Sequence, residues 1–187
     1  MSDGTVPACV LWRRLDTPGH DACRLDGRDG RFAIEGTALF LHDARPARLD
    51  YQVSSDRGWR TQRGRVSGWL HFQRIDFDVI RTAEGVWTLN GREVGGLESC
   101  LDLDLAFTPA TNLLQLRRLS LAPGEAADAP VAWLDVAGTL SLLPQRYERH
   151  DEATYWYEAP TVGYAGLLEV LPTGFIRRYP GLWEMEG

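Results

Sequence analysis

The sequence predicts an all-β protein, an extended antiparallel barrel or roll, with a two-sheet sandwich as the second choice. Three observations predict it. Apolar and polar residues alternate with period two along most of the chain, the mark of strands with one buried and one wet face. Gly-containing turn pairs recur every ten residues or so: Asp26-Gly27, Asp29-Gly30, Arg57-Gly58, Glu84-Gly85, Asn90-Gly91, Pro123-Gly124 and Thr173-Gly174, and such pairs tolerate the positive φ that hairpins need. No window carries a helix-length stripe of period 3.6.

The strands follow in order. In RFAIEGTALF, Phe32 and Ile34, then Ala38 and Phe40 after the Gly36 break, share a side. In RLDYQVSS, Leu49, Tyr51 and Val53 alternate with Asp50, Gln52 and Ser54. In FQRIDFDVI, Ile75, Phe77 and Val79 alternate with Arg74, Asp76 and Asp78. Later come VAWLDVAG, TLSLLPQ, ATYWYEAP, GYAGLLEVL and FIRRYP. Glu125 to Ala129 has room for at most one turn of helix, since Pro123 and Pro130 bracket it. Roughly 14 strand-like segments result, and a sheet that large curls, closes or splits into two layers. With 187 residues, the whole chain, 1–187, is read as one β domain.

The stretch 98-ESCLDLDLAFTPATNLLQLRRLSL-121 decides between scaffold and site. Leu101, Leu103 and Leu105 alternate with Asp102 and Asp104. Thr108-Pro109-Ala110-Thr111 reads as a turn, and the chain returns as a strand through Leu114, Leu116, Arg117 and Arg118. In that hairpin one register sets Asp102 against Arg118 and the next sets Asp104 against Arg117. Either pair contributes roughly 0.2–1 kcal/mol when exposed. Acid–base work by paired carboxylates needs environments that push their pKa values apart, and two aspartates on one strand face supply none. The carboxylates are therefore read as structural.

Composition bounds the rest. Apolar residues make up 44% and charged residues 25%, with a net charge of -6; this is globular, and it disfavours nucleic acid as a partner. All 20 cations are Arg, which suits bidentate anion recognition. The start has no signal peptide; Val6-Pro7-Ala8-Cys9 mimics a lipoprotein box without the apolar run before it. No window reaches the ~20 apolar residues of a membrane span. Cys9, Cys23 and Cys100 are odd in number and far apart, which fits buried thiols in a reducing compartment. The expectation is a cytoplasmic protein.

No catalytic residue, metal or cofactor is assigned. His20, His42, His71 and His150 are scattered without metal-ligand spacing, no Gly-x-Ser-x-Gly elbow occurs, and Cys100 reads as an inert buried thiol. The aromatic inventory is larger than usual: seven Trp, six Tyr and six Phe. These side chains either pack the core or line a cavity with Arg and Asp at its mouth, a mix that holds amphiphiles. In Tyr155-Trp156-Tyr157 the tyrosines share one face and Trp156 takes the other. Tyr155, Tyr157, Trp133, Trp87 and Arg117 are the expected ligand-binding residues.

The 98–121 stretch also resembles the signature of a bacterial family, "Putative glycolipid-binding": a Gly-Cys-Leu-Asp-x-Asp-Leu run, then Thr-Pro-x-Thr-Asn, then Leu-Pro-Ile-Arg-Arg-Leu. RLDYQVSSDRGWRT, GVWTLNG, VAWLDV, QRYER, YWYEA and RYPGLW extend the likeness along nearly the whole chain. Ser99 stands where the signature has Gly, and Gln115 where it has Pro. The resemblance implies a spiral β-roll of about fifteen antiparallel strands that binds a lipid or glycolipid, a label resting on fold likeness to periplasmic lipoprotein carriers. Two other functions stay open: a small-molecule enzyme using Asp102, Asp104 and Arg117 within the roll, and a scaffold that binds a partner along exposed strand edges.

Overall fold

The computed structural model describes residues 8–28 and 30–187; Asp29, Val6 and Pro7, from the turn and the lipoprotein-like box named above, lie outside them. Among the described residues seventeen strands carry the fold. The first eight are β1 (Ala8–Arg14), β2 (Gly19–Arg28), β3 (Arg31–His42), β4 (Arg45–Ser55), β5 (Thr61–Leu70), β6 (Gln73–Arg81), β7 (Trp87–Leu89) and β8 (Arg92–Val94). The next four are β9 (Asp102–Leu105), β10 (Ala126–Asp128), β11 (Val131–Leu134) and β12 (Leu140–Leu143). The last five are β13 (Arg146–Arg149), β14 (Thr154–Ala159), β15 (Tyr164–Val170), β16 (Ile176–Tyr179) and β17 (Trp183–Met185). One α-helix, α1 (Asn112–Leu119), follows β9.

Fourteen strands form one antiparallel sheet in the order β10-β13-β14-β15-β16-β17-β1-β2-β3-β4-β5-β6-β7-β8. The first and last strands of the chain pair at its middle, with Arg14 opposite Trp183. The order is linear, so the sheet curls without closing into a barrel. A second sheet, β12-β11-β9, holds a parallel pair, β9 with β11, where an antiparallel return was expected.

The curled sheet wraps this smaller sheet and α1. Strands from both halves grip the same segment. The Thr61 amide donates to the Leu101 carbonyl at 3.0 Å, and the Leu103 amide donates to Thr61 Oγ1 at 2.9 Å. The Trp87 indole and Arg81 Nε both donate to the Cys100 carbonyl at 3.2 Å. Gly64 of β5 has no side chain because Leu103 fills the space its Cβ would take. On the far side, Asn112 Nδ2 donates to Tyr147 Oη at 2.7 Å. The interior is thus occupied by protein, not by an open channel.

Several expectations are corrected. Asn112–Leu119 is a helix, not the returning strand of a hairpin. Its Leu, Gln and Arg residues are strong helix formers, and a short apolar run fits either period. Arg117 and Arg118 sit in its last turn, where cations complement the helix dipole. Ala126–Asp128 is a strand, not a turn of helix. Asp26-Gly27 lies inside β2 rather than at a hairpin tip. Cys9 is exposed, whereas Cys23 and Cys100 are buried, and all three are free. Burial lifts the Cys100 thiol to about 11.

Candidate functional site

The wet face expected for Asp102 and Asp104 does not exist: all four residues of β9 are buried. The α1 helix covers the Asp face, through Arg118 and Asp102, and the large sheet covers the Leu face, where Leu103 packs on Gly64, so neither face meets solvent. Each carboxylate is instead met by donors. Arg118 Nε and Nη2 both donate to Asp102 Oδ2, at 2.9 and 2.7 Å; this is the Asp102–Arg118 pair expected above, but it joins strand to helix rather than two strands. Asp102 Oδ1 has no partner among the described residues. Burial raises the Asp102 pKa, and the Arg118 contact pulls it part of the way back.

Asp104 lies in a different setting. Thr111 Oγ1 donates to its Oδ1 at 2.6 Å and Gln145 Nε2 to its Oδ2 at 2.7 Å. Tyr147 Oη in turn donates to Gln145 Oε1 at 3.4 Å. Burial raises the Asp104 pKa, opposed by these donors. The carboxylate stands in the floor of a cleft of about 250 Å³. Asn112 and Thr108 share that floor, and Trp133, Tyr157, Tyr164, Tyr179 and Trp183 form the walls. Trp133 arrives beside Asp104 because the two are register partners in the parallel pair.

Four tyrosines pack as one cluster, which gives the walls their rigidity. Ring centroids are 4.8 Å apart for Tyr147 and Tyr157, 5.7 Å for Tyr157 and Tyr179, and 4.9 Å for Tyr164 and Tyr179. Such edge and tilted contacts add about 0.5–1.5 kcal/mol each beyond area burial. Burial pushes the Tyr164 phenol up to about 12, so it stays a neutral hydroxyl. At the rim, Val162 and Leu182 are apolar, and Leu15, whose amide donates to the Leu182 carbonyl at 2.8 Å, is 41% exposed. Among the described residues that line the cleft there is no cation.

The five residues expected to bind ligand fall in three places. Tyr157 and Trp133 meet in the Asp104 cleft. Tyr155 and Arg117 meet in a second, smaller pocket beyond the other end of α1. Trp87 is a core residue held by the Cys100 carbonyl. Tyr155 and Tyr157 point inward and Trp156 outward. Arg117 does not join Asp102 and Asp104, so those three residues do not share a site. Tyr164, Tyr179 and Gln145 are not among the residues the sequence singles out, and no local pattern in the chain marks them.

Among the described residues no three His, Cys, Asp or Glu side chains gather as a metal site, and no helix is long and apolar enough to cross a membrane. A family model described as "Putative glycolipid-binding" matches residues 9–185. The crystal structure of a DUF1089 family protein from Pseudomonas aeruginosa is similar, with a TM-score of 0.76 at 25% identity over 89% of this chain and 91% of that one. No curated protein matches the chain.

Proposed function

Since the chain belongs to the "Putative glycolipid-binding" family, we propose that it binds a glycolipid-like amphiphile by its polar head in the Asp104 cleft. The observation that carries this reading is the cleft's chemistry: aromatic walls around a buried carboxylate, an amide and hydroxyls. Rings contact the faces of a sugar, while Asp104 and Asn112 offer an acceptor and an amide for its hydroxyls. The lack of a lining cation favours an uncharged, hydroxyl-rich head over an anionic one.

Size decides how much of the ligand enters. At ~30 Å³ per water, 250 Å³ holds about eight waters. That suits one small head and excludes a two-chain lipid. The acyl part rests on the rim, where Leu15, Val162 and Leu182 supply apolar contact.

An alkyl glycoside and the same sugar without its chain test the reading, with Trp133 and Trp183 as intrinsic fluorophores in the walls. The alkyl glycoside changes the fluorescence saturably and binds more tightly than the free sugar. Asp104→Asn and Trp133→Ala weaken it while leaving the fold intact. Absence of saturable binding, together with no amphiphile in an organic extract of the purified protein by mass spectrometry, refutes the reading.

A further inference from the structure

The second pocket presents the opposite chemistry. It has a volume of about 160 Å³ and lies where the C-terminal end of α1 meets the start of β14 and the β15–β16 turn. Arg117, Tyr155, Ser120 and Arg149 line it. Arg149 is committed to structure: its N–H groups donate to the carbonyls of Leu121, Asp151 and Glu152, and its guanidinium lies 5.5 Å from the Tyr155 ring. Arg117 is not. Its guanidinium stacks 5.5 Å from the Trp59 ring, which is itself stacked on Phe32 at 3.8 Å. It meets no carboxylate among the described residues, and its Nε is buried without an acceptor.

A buried guanidinium N–H without a partner is costly and calls for an acceptor. The chain carries a net charge of -6, so a sheltered cation left without a carboxylate is not for want of acidic residues. The carboxylate that lines this pocket, Glu152, has a 92% exposed side chain and contacts Arg149. The Tyr155 and Ser120 hydroxyls form no hydrogen bond among the described residues and remain as donors. The pocket therefore holds two fixed positive charges, Arg117 and Arg149, beside the Tyr155 and Ser120 hydroxyls, in a space for about five waters at ~30 Å³ each. We propose that this pocket binds a tetrahedral oxyanion, phosphate or a phosphate monoester, with Arg117 as the charged donor and Tyr155 and Ser120 as neutral ones. Guanidinium and hydroxyl donors converging on one oxyanion form charge-assisted bonds. The carbonyl end of α1 opposes an anion, but that end is already occupied: the Ser120 amide caps the Leu116 carbonyl and Arg149 takes that of Leu121.

The proposal is independent of the amphiphile reading, because the two pockets lie at opposite ends of α1. Its test is titration of the full chain with inorganic phosphate and, separately, with a short-chain alkyl phosphate, by calorimetry at constant ionic strength. The wild type binds phosphate saturably. Arg117→Gln weakens it about tenfold or more, and Tyr155→Phe, which keeps the ring beneath Arg149, weakens it several-fold. Asp104→Asn leaves it unchanged. Tighter binding of the alkyl phosphate identifies a phosphorylated amphiphile as the source of the anion; equal or weaker binding identifies free phosphate. No saturable binding of either probe, or binding unchanged in both Arg117→Gln and Tyr155→Phe, overturns the proposal.

Discussion

The buried carboxyl of Asp21 predicts a pH-dependent stability whose size follows from its surroundings. The residue sits on β2 with no solvent exposure. Tyr51 Oη donates to both of its oxygens, at 2.9 and 3.1 Å, and Thr108 Oγ1 donates to Oδ2. Burial outweighs those donors and pushes the carboxyl up to about 6 from its ordinary 3.8. The folded state therefore holds the Asp21 proton more tightly than the unfolded chain. The stabilisation is complete below the unfolded pKa, and it is lost as pH rises through about 6. At 1.36 kcal/mol per pKa unit, the loss is about 3 kcal/mol. Asp21→Asn removes the ionisation and keeps the shape. Urea unfolding of both proteins from pH 4 to 7.5 gives the stability difference between them directly. That difference shifts by about 2–2.5 kcal/mol in favour of the variant across this window, since the unfolded carboxyl is already partly ionised at pH 4. Other carboxyls titrate in both proteins and cancel. Parallel pH profiles for the two would refute the assignment.

Gly36→Ala strikes the same network from the other side, since its Cβ would collide with the Tyr51 phenol and the Ala22 carbonyl; unfolding by urea shows a loss of about 1–3 kcal/mol. Removing Arg118 strands a carboxylate with no solvent exposure, so Arg118→Gln lowers stability by about 3–5 kcal/mol. Asp102→Asn costs less at the same pH, and thermal melts of the two variants reveal the asymmetry. Leu103→Ala empties the space that joins the inner strand to Gly64 of β5 and costs about 2–5 kcal/mol; a near-neutral result would mean that the inner segment does not hold the sheet's curl.

Legibility followed the period. Strands with one wet face, such as β3, β4 and β6, were plain from alternation. Asn90-Gly91 and Glu84-Gly85 mark true turns, with positive φ at Asn90, Gly91 and Gly85. What failed was whatever lies inside. β9 alternates Asp with Leu, yet both faces are covered, and alternation alone cannot separate a wet face from one lined with partners. Those partners lie far along the chain: Gln145 is 41 residues from Asp104 and Arg118 is 16 from Asp102. The helix escaped because eight residues are too few to establish a period. The first two strands escaped as well, because ACVLWRR and GHDACRLD put arginines and a buried Asp21 where a simple pattern wants apolar residues. Of the residues that line the candidate cleft, the sequence singles out Tyr157 and Trp133 but not Tyr164 and Tyr179.

The two candidate pockets lie at opposite ends of the helix that helps fill the roll. The α1 helix, eight residues and about 12 Å long, presents Asn112 to the carboxylate cleft and Arg117 to the cationic pocket. On β14, Tyr155 and Tyr157 share the inward face about 7 Å apart, yet each serves a different pocket. Truncating both tyrosines together would therefore confound two functions that the single changes separate. Tyr157→Ala acts on the sugar-type head through the cleft walls, and Tyr155→Phe acts on the oxyanion alone. On the two proposals together, the polarity keeps the pockets from competing. A ligand acidic enough to need Arg117 is repelled by Asp104, and a neutral polyol gains nothing from an unpaired guanidinium that it cannot neutralise. One short helix thus keeps two chemistries apart.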